Sequence, residues 1–333
     1  MFILYYYSNM DKKRKYGQFY SANADQLLFG FAKPPINCSI IEPFSGKGDL
    51  IRWVNRDDAI EYDIEPRRDQ TTCRDTLRNP PSYSGKYIVT HPPFLARNKS
   101  TDKSLYDTFG LNDLFKIFIT QICNDPPIGG VLILPVNFWS SSRDPDVELR
   151  KEFLSIFRVL KVNIFEEAVF QDTSCAVSSV QFTHDTPTIN ISFRFFPDDE
   201  ERVFLFSPSN HYTIGWDIIS IMDHKYGHVV TRAVVKGKKP NTQLMFRALD
   251  NISLEWTDKP YYGKKTSRTF ASLNIEPQIT KKRQKELLKQ FNEFVSLNRA
   301  KYKSLWLSNY REGARKRMGF EMCYSIVGYL LRS

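Results

Sequence analysis

The spacing of apolar residues divides this chain near residue 198. Before that point short apolar runs alternate with stretches of helical period. Ile40-Ile41 predicts a short strand running into Pro43, Asp49 to Asn55 begins a helix, and Ala59 to Asp63 and Tyr87 to Thr90 read as strands. Between Leu111 and Cys123 the spacing of Leu114, Phe115, Ile117, Phe118 and Ile122 predicts a helix. Gly130 to Val136 reads as a buried strand, Glu148 to Leu160 as a helix and Lys161 to Phe165 as a strand. Ala176 to Phe182 and Thr188 to Phe196 alternate at period two and predict a hairpin with each other. Strands and helices in alternation imply an α/β fold with a mostly parallel sheet covered on both faces. A closing antiparallel hairpin is common on such a sheet.

Pro197-Asp198-Asp199-Glu200-Glu201 is a charged, non-periodic break. It predicts one domain over residues 1–198 and a second over 199–333, a size at which two domains are expected. Residues 202–280 are mixed in pattern. Lys281 to Trp306 is a long amphipathic helix with Leu287, Leu288, Phe291, Phe294, Val295, Tyr302 and Leu305 near one face, and a last helix carries Phe320, Tyr324, Val327 and Leu331 as its stripe. The second domain therefore reads as mainly helical.

Charge sharpens the division. The formal net charge is +10. Residues 1–200 hold 23 Lys and Arg against 26 Asp and Glu, whereas residues 201–333 hold 24 against 11. A basic half beside a near-neutral half points to a polyanion-binding module joined to a domain with another task. Its candidate phosphate contacts are Lys236, Lys238, Lys239, Lys264 and Lys265. No apolar run reaches the ~18–20 residues that span a bilayer, and the apolar start, Met1 to Tyr7, is too short for a signal-peptide core and reads as an opening strand or packing arm. The five cysteines are dispersed and form no Cys-x-x-Cys pair, which argues for reduced thiols inside a cell and against a metal site.

Two segments carry the candidate chemistry. Ile40 to Leu50 (Ile-Ile-Glu-Pro-Phe-Ser-Gly-Lys-Gly-Asp-Leu) puts an acid and two glycines where a strand turns into a helix. Ligands of open α/β sheets bind at that end of the strands, and glycines let the backbone approach them. Glu42 there favours a cationic ligand group over a phosphate, and the segment is neither a full Gly-x-Gly-x-x-Gly nor a P-loop. About 20 residues on, Asp63 ends the second strand, where an acid accepts from ribose hydroxyls. Asp75 follows as a candidate acceptor for an adenine amino group. The second segment is Thr90-His91-Pro92-Pro93-Phe94, after an apolar strand. Two prolines fix φ in succession and push the residues before them out of helical conformation, giving a rigid extended hook.

In this order the motifs resemble those of the S-adenosylmethionine-dependent adenine-N6 DNA methyltransferases, in the arrangement with cofactor motifs first and a target-recognition domain at the C-terminus. The resemblance runs over about residues 14–196 and more loosely to the end. It implies a Rossmann-like class I methyltransferase sheet, S-adenosylmethionine as cofactor, and double-stranded DNA as partner, with no metal and no membrane; the oligomeric state stays open, a monomer among the alternatives. Gly17-Gln18-Phe19-Tyr20-Ser21 is similar to the family's segment over the methionine carboxylate. Glu42, Phe44, Gly46 and Gly48 match the first cofactor motif. Asp63 and Ile64 match the ribose and adenine positions, and Asp75 the acid facing the adenine amino group. Residues 91–94 match the catalytic Asn/Asp-Pro-Pro-Tyr/Phe motif, with Phe94 as the platform for the flipped base. Val169-Phe170-Gln171 resembles the late segment whose aromatic packs against that base. The same hook serves glutamine and RNA methylation in other families, and the basic half favours nucleic acid.

One position departs from the pattern. Where the family has Asn or Asp, this chain has His91. A neutral imidazole offers one acceptor nitrogen, at about the reach of an Asn oxygen. Either His91 accepts an amino hydrogen in that role, with imidazolium formed near the ordinary pKa of ~6.5 abolishing it, or the chain binds DNA and cofactor without transferring a methyl group. A third reading is that His is not the native residue there.

Overall fold

The computed structural model describes residues 23–167, 169, 176–234, 239–249, 251–262, 269–306 and 317–332. These fall into two compact units that divide after Tyr212.

The first unit is built on a nine-stranded sheet. Its strands in chain order are β1 (Ser39–Glu42), β2 (Ile60–Asp63), β3 (Thr72–Cys73), β4 (Lys86–Thr90), β5 (Gly129–Pro135), β6 (Arg158–Phe165), β7 (Val177–Thr183), β8 (Asn190–Phe196) and β9 (Glu200–Leu205). They lie side by side as β3-β2-β1-β4-β5-β7-β6-β8-β9. The first five positions are parallel, and β7 is wedged antiparallel between β5 and β6. This is a Rossmann-like, doubly wound order with one reversed strand. β5 is buried along its whole length, as a central strand covered on both faces must be. At Gly130 the neighbours leave no room for a side chain: a Cβ there would lie 2.6 Å from the Ile88 carbonyl oxygen.

Helices α1 (Ala24–Leu27), α2 (Asp49–Val54), α3 (Ser104–Phe109), α4 (Leu114–Asn124), α5 (Asn137–Ser140) and α6 (Asp144–Ile156) complete this unit. In α4, Phe115, Ile117, Phe118, Ile119 and Ile122 are all fully buried. The α4–α6 contact also holds a buried ion pair, Lys116 Nζ to Asp146 Oδ1 at 2.5 Å, with Asn112 Oδ1 accepting from the same ammonium at 2.8 Å.

Three expectations change. The runs ending at Phe182 and Phe196 do not pair with each other. β7 pairs with β5 and β6, while β8 runs parallel to β6 and forms its hairpin with β9. Period-two alternation marks strands without saying which neighbour each takes. Pro197 to Asp199, expected as the break between domains, is the turn of that β8–β9 hairpin, within the first unit. The helix expected over Glu148 to Leu160 is α6, four residues earlier, with Pro145 in its first turn, and strand β6 already begins at Arg158.

The second unit contains a four-stranded antiparallel sheet, order β10-β13-β11-β12, in the stretch that read only as mixed. Its strands are β10 (Val229–Arg232), β11 (Leu244–Arg247), β12 (Ser253–Trp256) and β13 (Phe270–Glu276). With α7 (Trp216–Ile219) ahead of them, α8 (Lys281–Tyr302) and α9 (Phe320–Leu331) supply the helical part. Thr280 caps α8, its hydroxyl accepting from the Arg283 amide at 3.2 Å. The buried stripe of α8 is Gln284, Leu287, Phe291, Val295, Asn298 and Tyr302, so polar residues continue the apolar face. Leu288 and Phe294 lie at its margin, half-buried. α9 is rotated from its expected stripe: Met322, Cys323, Ile326, Val327 and Leu331 are buried, while Phe320 and Tyr324 are half-buried. On α8 the Asn292 side chain both accepts from the Leu254 amide (2.9 Å) and donates to the Leu254 carbonyl (3.0 Å), covering edge strand β12.

Candidate functional site

A cavity of about 290 Å³ opens at the carboxyl ends of β1, β2 and β4 in the first unit. Its floor is the turn from β1 into α2. Gly46 and Gly48 take left-handed φ values of 53° and 72°, which non-glycine residues adopt at a cost. Two carboxylates of β2 and its end hold the turn from beneath. Asp63 Oδ2 accepts the Gly46 amide at 2.8 Å, and Asp63 Oδ1 accepts the Glu65 amide at 2.7 Å. Glu61 accepts from Ser45 Oγ at 2.5 Å, Thr71 Oγ1 at 3.2 Å and Arg68 Nη1 at 2.8 Å. Arg68 lies so close over Gly48 that a Cβ there would sit 2.7 Å from its Cδ. Gly46 lines the cavity, while Gly48 serves the turn and the arginine above it.

Glu42 is the least compensated group in this wall. It is 1% exposed, it lines the cavity, and its Oε2 has no hydrogen-bond partner among the described residues. Burial, followed by the nearby carboxylates of Glu61, Asp49 and Asp63, holds its pKa well above the ordinary carboxylate range. A buried, unpaired acid is costly unless a cation arrives to compensate it. Burial also raises the Asp63 pKa, opposed by its two backbone hydrogen bonds. Phe44 and Ile64 add apolar wall, and Ile64 is 38% exposed. Asp75 lines the cavity too, beside Arg78, whose Nε is 3.5 Å from Asp75 Oδ2.

The hook follows β4 and is held from outside its own sequence. Leu95 donates its amide to Asp113 Oδ1 at 3.0 Å, and the Leu95 carbonyl accepts from the Tyr106 hydroxyl at 2.9 Å. His91 and Pro93 line the cavity, whereas Pro92 is buried and is not among the lining residues. His91 is 7% exposed, and desolvation depresses its pKa to about 3. Burial thus favours the neutral ring and moves its titration to the acid side of the ordinary 6.5.

Phe94, expected as the platform for the base, is buried beside the cavity-lining His91. It is 5% exposed, is absent from the cavity wall, and packs edge-on between His91 (4.8 Å between centroids) and Phe115 (5.9 Å). Removal of apolar ring surface from water favours this placement at roughly 25 cal/mol per Å². The hook is thus tied at Leu95, and its aromatic ring is buried.

Sequence patterns did not single out the far wall, which is Ser100, Thr101, Asp102, Leu105 and Tyr106. Arg78 reaches across to Asp102 at 2.6 Å. One signal was available: Asp102 two residues before Ser104 is a helix-start pattern, and Asp102 Oδ1 accepts the Ser104 amide at 2.9 Å at the head of α3. Of the other candidates, Tyr20, Ser21, Phe170, Lys236, Lys238, Lys264 and Lys265 lie outside the described residues, and Lys239 is exposed on the second unit.

No known protein family and no curated protein matches the sequence. Solved structures are similar to it at low identity. The type I restriction-modification system methyltransferase subunit from Streptococcus thermophilus is 14% identical, with 61% of this chain and 52% of that one covered at a TM-score of 0.42. The type IIG restriction endonuclease BpuSI is 13% identical over 66% of this chain and 36% of its own, at 0.42. DrdV, solved in complex with DNA, is 14% identical over 74% and 36%, at 0.44. This chain thus spans about half the length of the first and about a third of the other two.

Proposed function

We propose that the first unit binds S-adenosylmethionine and transfers its methyl group to the N6 of a flipped adenine in DNA, while the basic second unit holds the duplex. The observation that carries the cofactor reading is Glu42, a buried acid with an unpartnered oxygen in the cavity wall. The donor set fits the cofactor. Glu42 is complementary to an ammonium group. Asp63, at the carboxyl end of β2 in the cavity wall, is an acid of the kind that accepts from ribose hydroxyls. Ile64 and Phe44 offer apolar contact to a flat base, and Asp75 an acceptor for its amino group.

The bound cofactor would supply an electrophilic methyl group on sulfur. The chain's own residues prepare the acceptor. An adenine nitrogen is a poor nucleophile while its lone pair is delocalised into the ring. Acceptors for its two hydrogens, the Pro92 carbonyl and a neutral His91 nitrogen, favour the tetrahedral nitrogen on which positive charge develops. Burial supports this role in one respect, because it keeps His91 an acceptor across the working pH range. Extruding the base costs a few kcal/mol.

Two observations favour a second reading, in which the chain binds cofactor and DNA without transfer: an imidazole stands in place of the amide, and Phe94 is turned into the core. Calorimetric titration with S-adenosylhomocysteine tests the cofactor site. Labelled S-adenosylmethionine with mixed-sequence duplex across pH 6–9, for the parent and His91→Asn, separates the two readings. Transfer by the parent supports His91 as acceptor. Transfer by the variant alone supports the binding-only reading, and transfer to RNA alone replaces DNA as substrate.

A further inference from the structure

The second unit carries an aromatic pair that its own core does not use. Tyr261 and Tyr262 are 41% and 37% exposed. Tyr261 is fixed at both main-chain groups: its amide donates to Ser272 Oγ and its carbonyl accepts from the Ser272 amide, each at 3.0 Å. Ser272 is fully buried in β13, where it pairs with Met245 of β11, so the anchor is the sheet itself. The Tyr261 ring rests on Phe270, with centroids 4.1 Å apart and planes tilted by 43°. A loop aromatic is thus held in place while much of its surface faces water. Tyrosine presents such area at low entropic cost.

Charge identifies the occupant. The stretch 201–333 has 24 Lys and Arg against 11 Asp and Glu, Lys259 lies two residues before the pair, and Lys264, Lys265 and Arg268 follow in the sequence. Cations close in sequence to exposed flat rings are complementary to a polyanion that itself carries flat rings. We propose that Tyr261 and Tyr262 form a stacking site for an unstacked base of bound DNA. This rests on the reading of the second unit as a DNA-holding module and adds to it a contact with base faces rather than with phosphates.

Fluorescence anisotropy with the full chain tests it, using a labelled duplex with a three-adenine bulge and the same duplex fully paired, each over a range of salt. The parent is expected to favour the bulged duplex. The double variant Tyr261→Ala/Tyr262→Ala is expected to lose that preference and about tenfold in affinity for the bulge. Its log-salt slope should match the parent's, because no phosphate contact is removed. The Tyr261→Phe/Tyr262→Phe variant, which keeps both rings, should stay within about twofold of the parent and so guards against a folding artefact. Affinity of the alanine variant within about twofold of the parent overturns the stacking site and leaves the DNA reading standing. Equal loss on both duplexes with a flatter salt slope also overturns it, in favour of backbone contacts. Absence of salt-dependent binding by the parent overturns the DNA reading and the stacking site together.

Discussion

Asp113 accepts the Leu95 amide at 3.0 Å from 18 residues away, so the hook bearing His91 is held in place by the residue that opens α4. Both groups are buried. Asp113→Ala removes the acceptor and leaves a buried amide unsatisfied, which costs about 1–3 kcal/mol. Urea unfolding of the variant is expected to show a loss of that size. Asp113→Asn, which keeps an acceptor oxygen, should lose less, and equal losses would mean that the amide contact is not what matters.

Glu42 should set folding stability and ligand affinity against each other. Its folded-state pKa is raised by burial. The stability associated with the protonated form is therefore fully present below the unfolded pKa and declines as pH rises through the folded one. Glu42→Gln is expected to unfold at higher urea than the parent at pH 8, with a smaller advantage at pH 5. The same variant should bind S-adenosylhomocysteine more weakly. A variant less stable at both pH values would show that the charge is compensated in the folded chain.

His91 gives an acid-side signature of opposite sign. Its folded pKa is about 3, below the ordinary 6.5. Between those values the unfolded chain takes up a proton that the folded chain refuses, so stability falls as pH falls across the window, at up to about 1.4 kcal/mol per pH unit. His91→Asn lacks this term. The difference in unfolding free energy between parent and variant, measured from pH 7 down to pH 4.5, should move in the variant's favour. Methyl transfer by the parent should show no limb near pH 6.5 that the variant lacks.

For the second unit the expectation is DNA affinity that falls steeply with salt, log K dropping by about 0.9 per neutralised phosphate on the log-salt scale. Lys239→Ala, at an exposed position, should reduce that slope by about one contact if it meets phosphate. An unchanged slope would assign Lys239 to the solvated surface.

Much of the first unit was legible because its strands are short apolar runs closed by acids and glycines. Glu42, Gly46, Asp63, Ile64, Asp75, His91 and Pro93 come together around one cavity from four separate stretches of chain. Order along the chain also suggested the sheet, but pairing did not follow from it. β7 and β8 share an alternating pattern, and which neighbour each takes depends on the intervening path. The packing of Phe94 was not legible for a similar reason. A motif says that an aromatic follows Pro-Pro, while the apolar face of α4, with Phe115, decides which way the ring turns. In the second unit three of the four strands are only four residues long, so their alternation was too brief to stand out.

The hydrogen bonds from Asn292 to Leu254 have a consequence for how this chain behaves among its own copies. Edge strands are templates on which another molecule can add a strand. At the centre of β12 one side-chain amide imitates the rung such a strand would offer, donor and acceptor both. The sheet ends there because the position is taken, and a growing stack would have to displace a helix of 22 residues to begin.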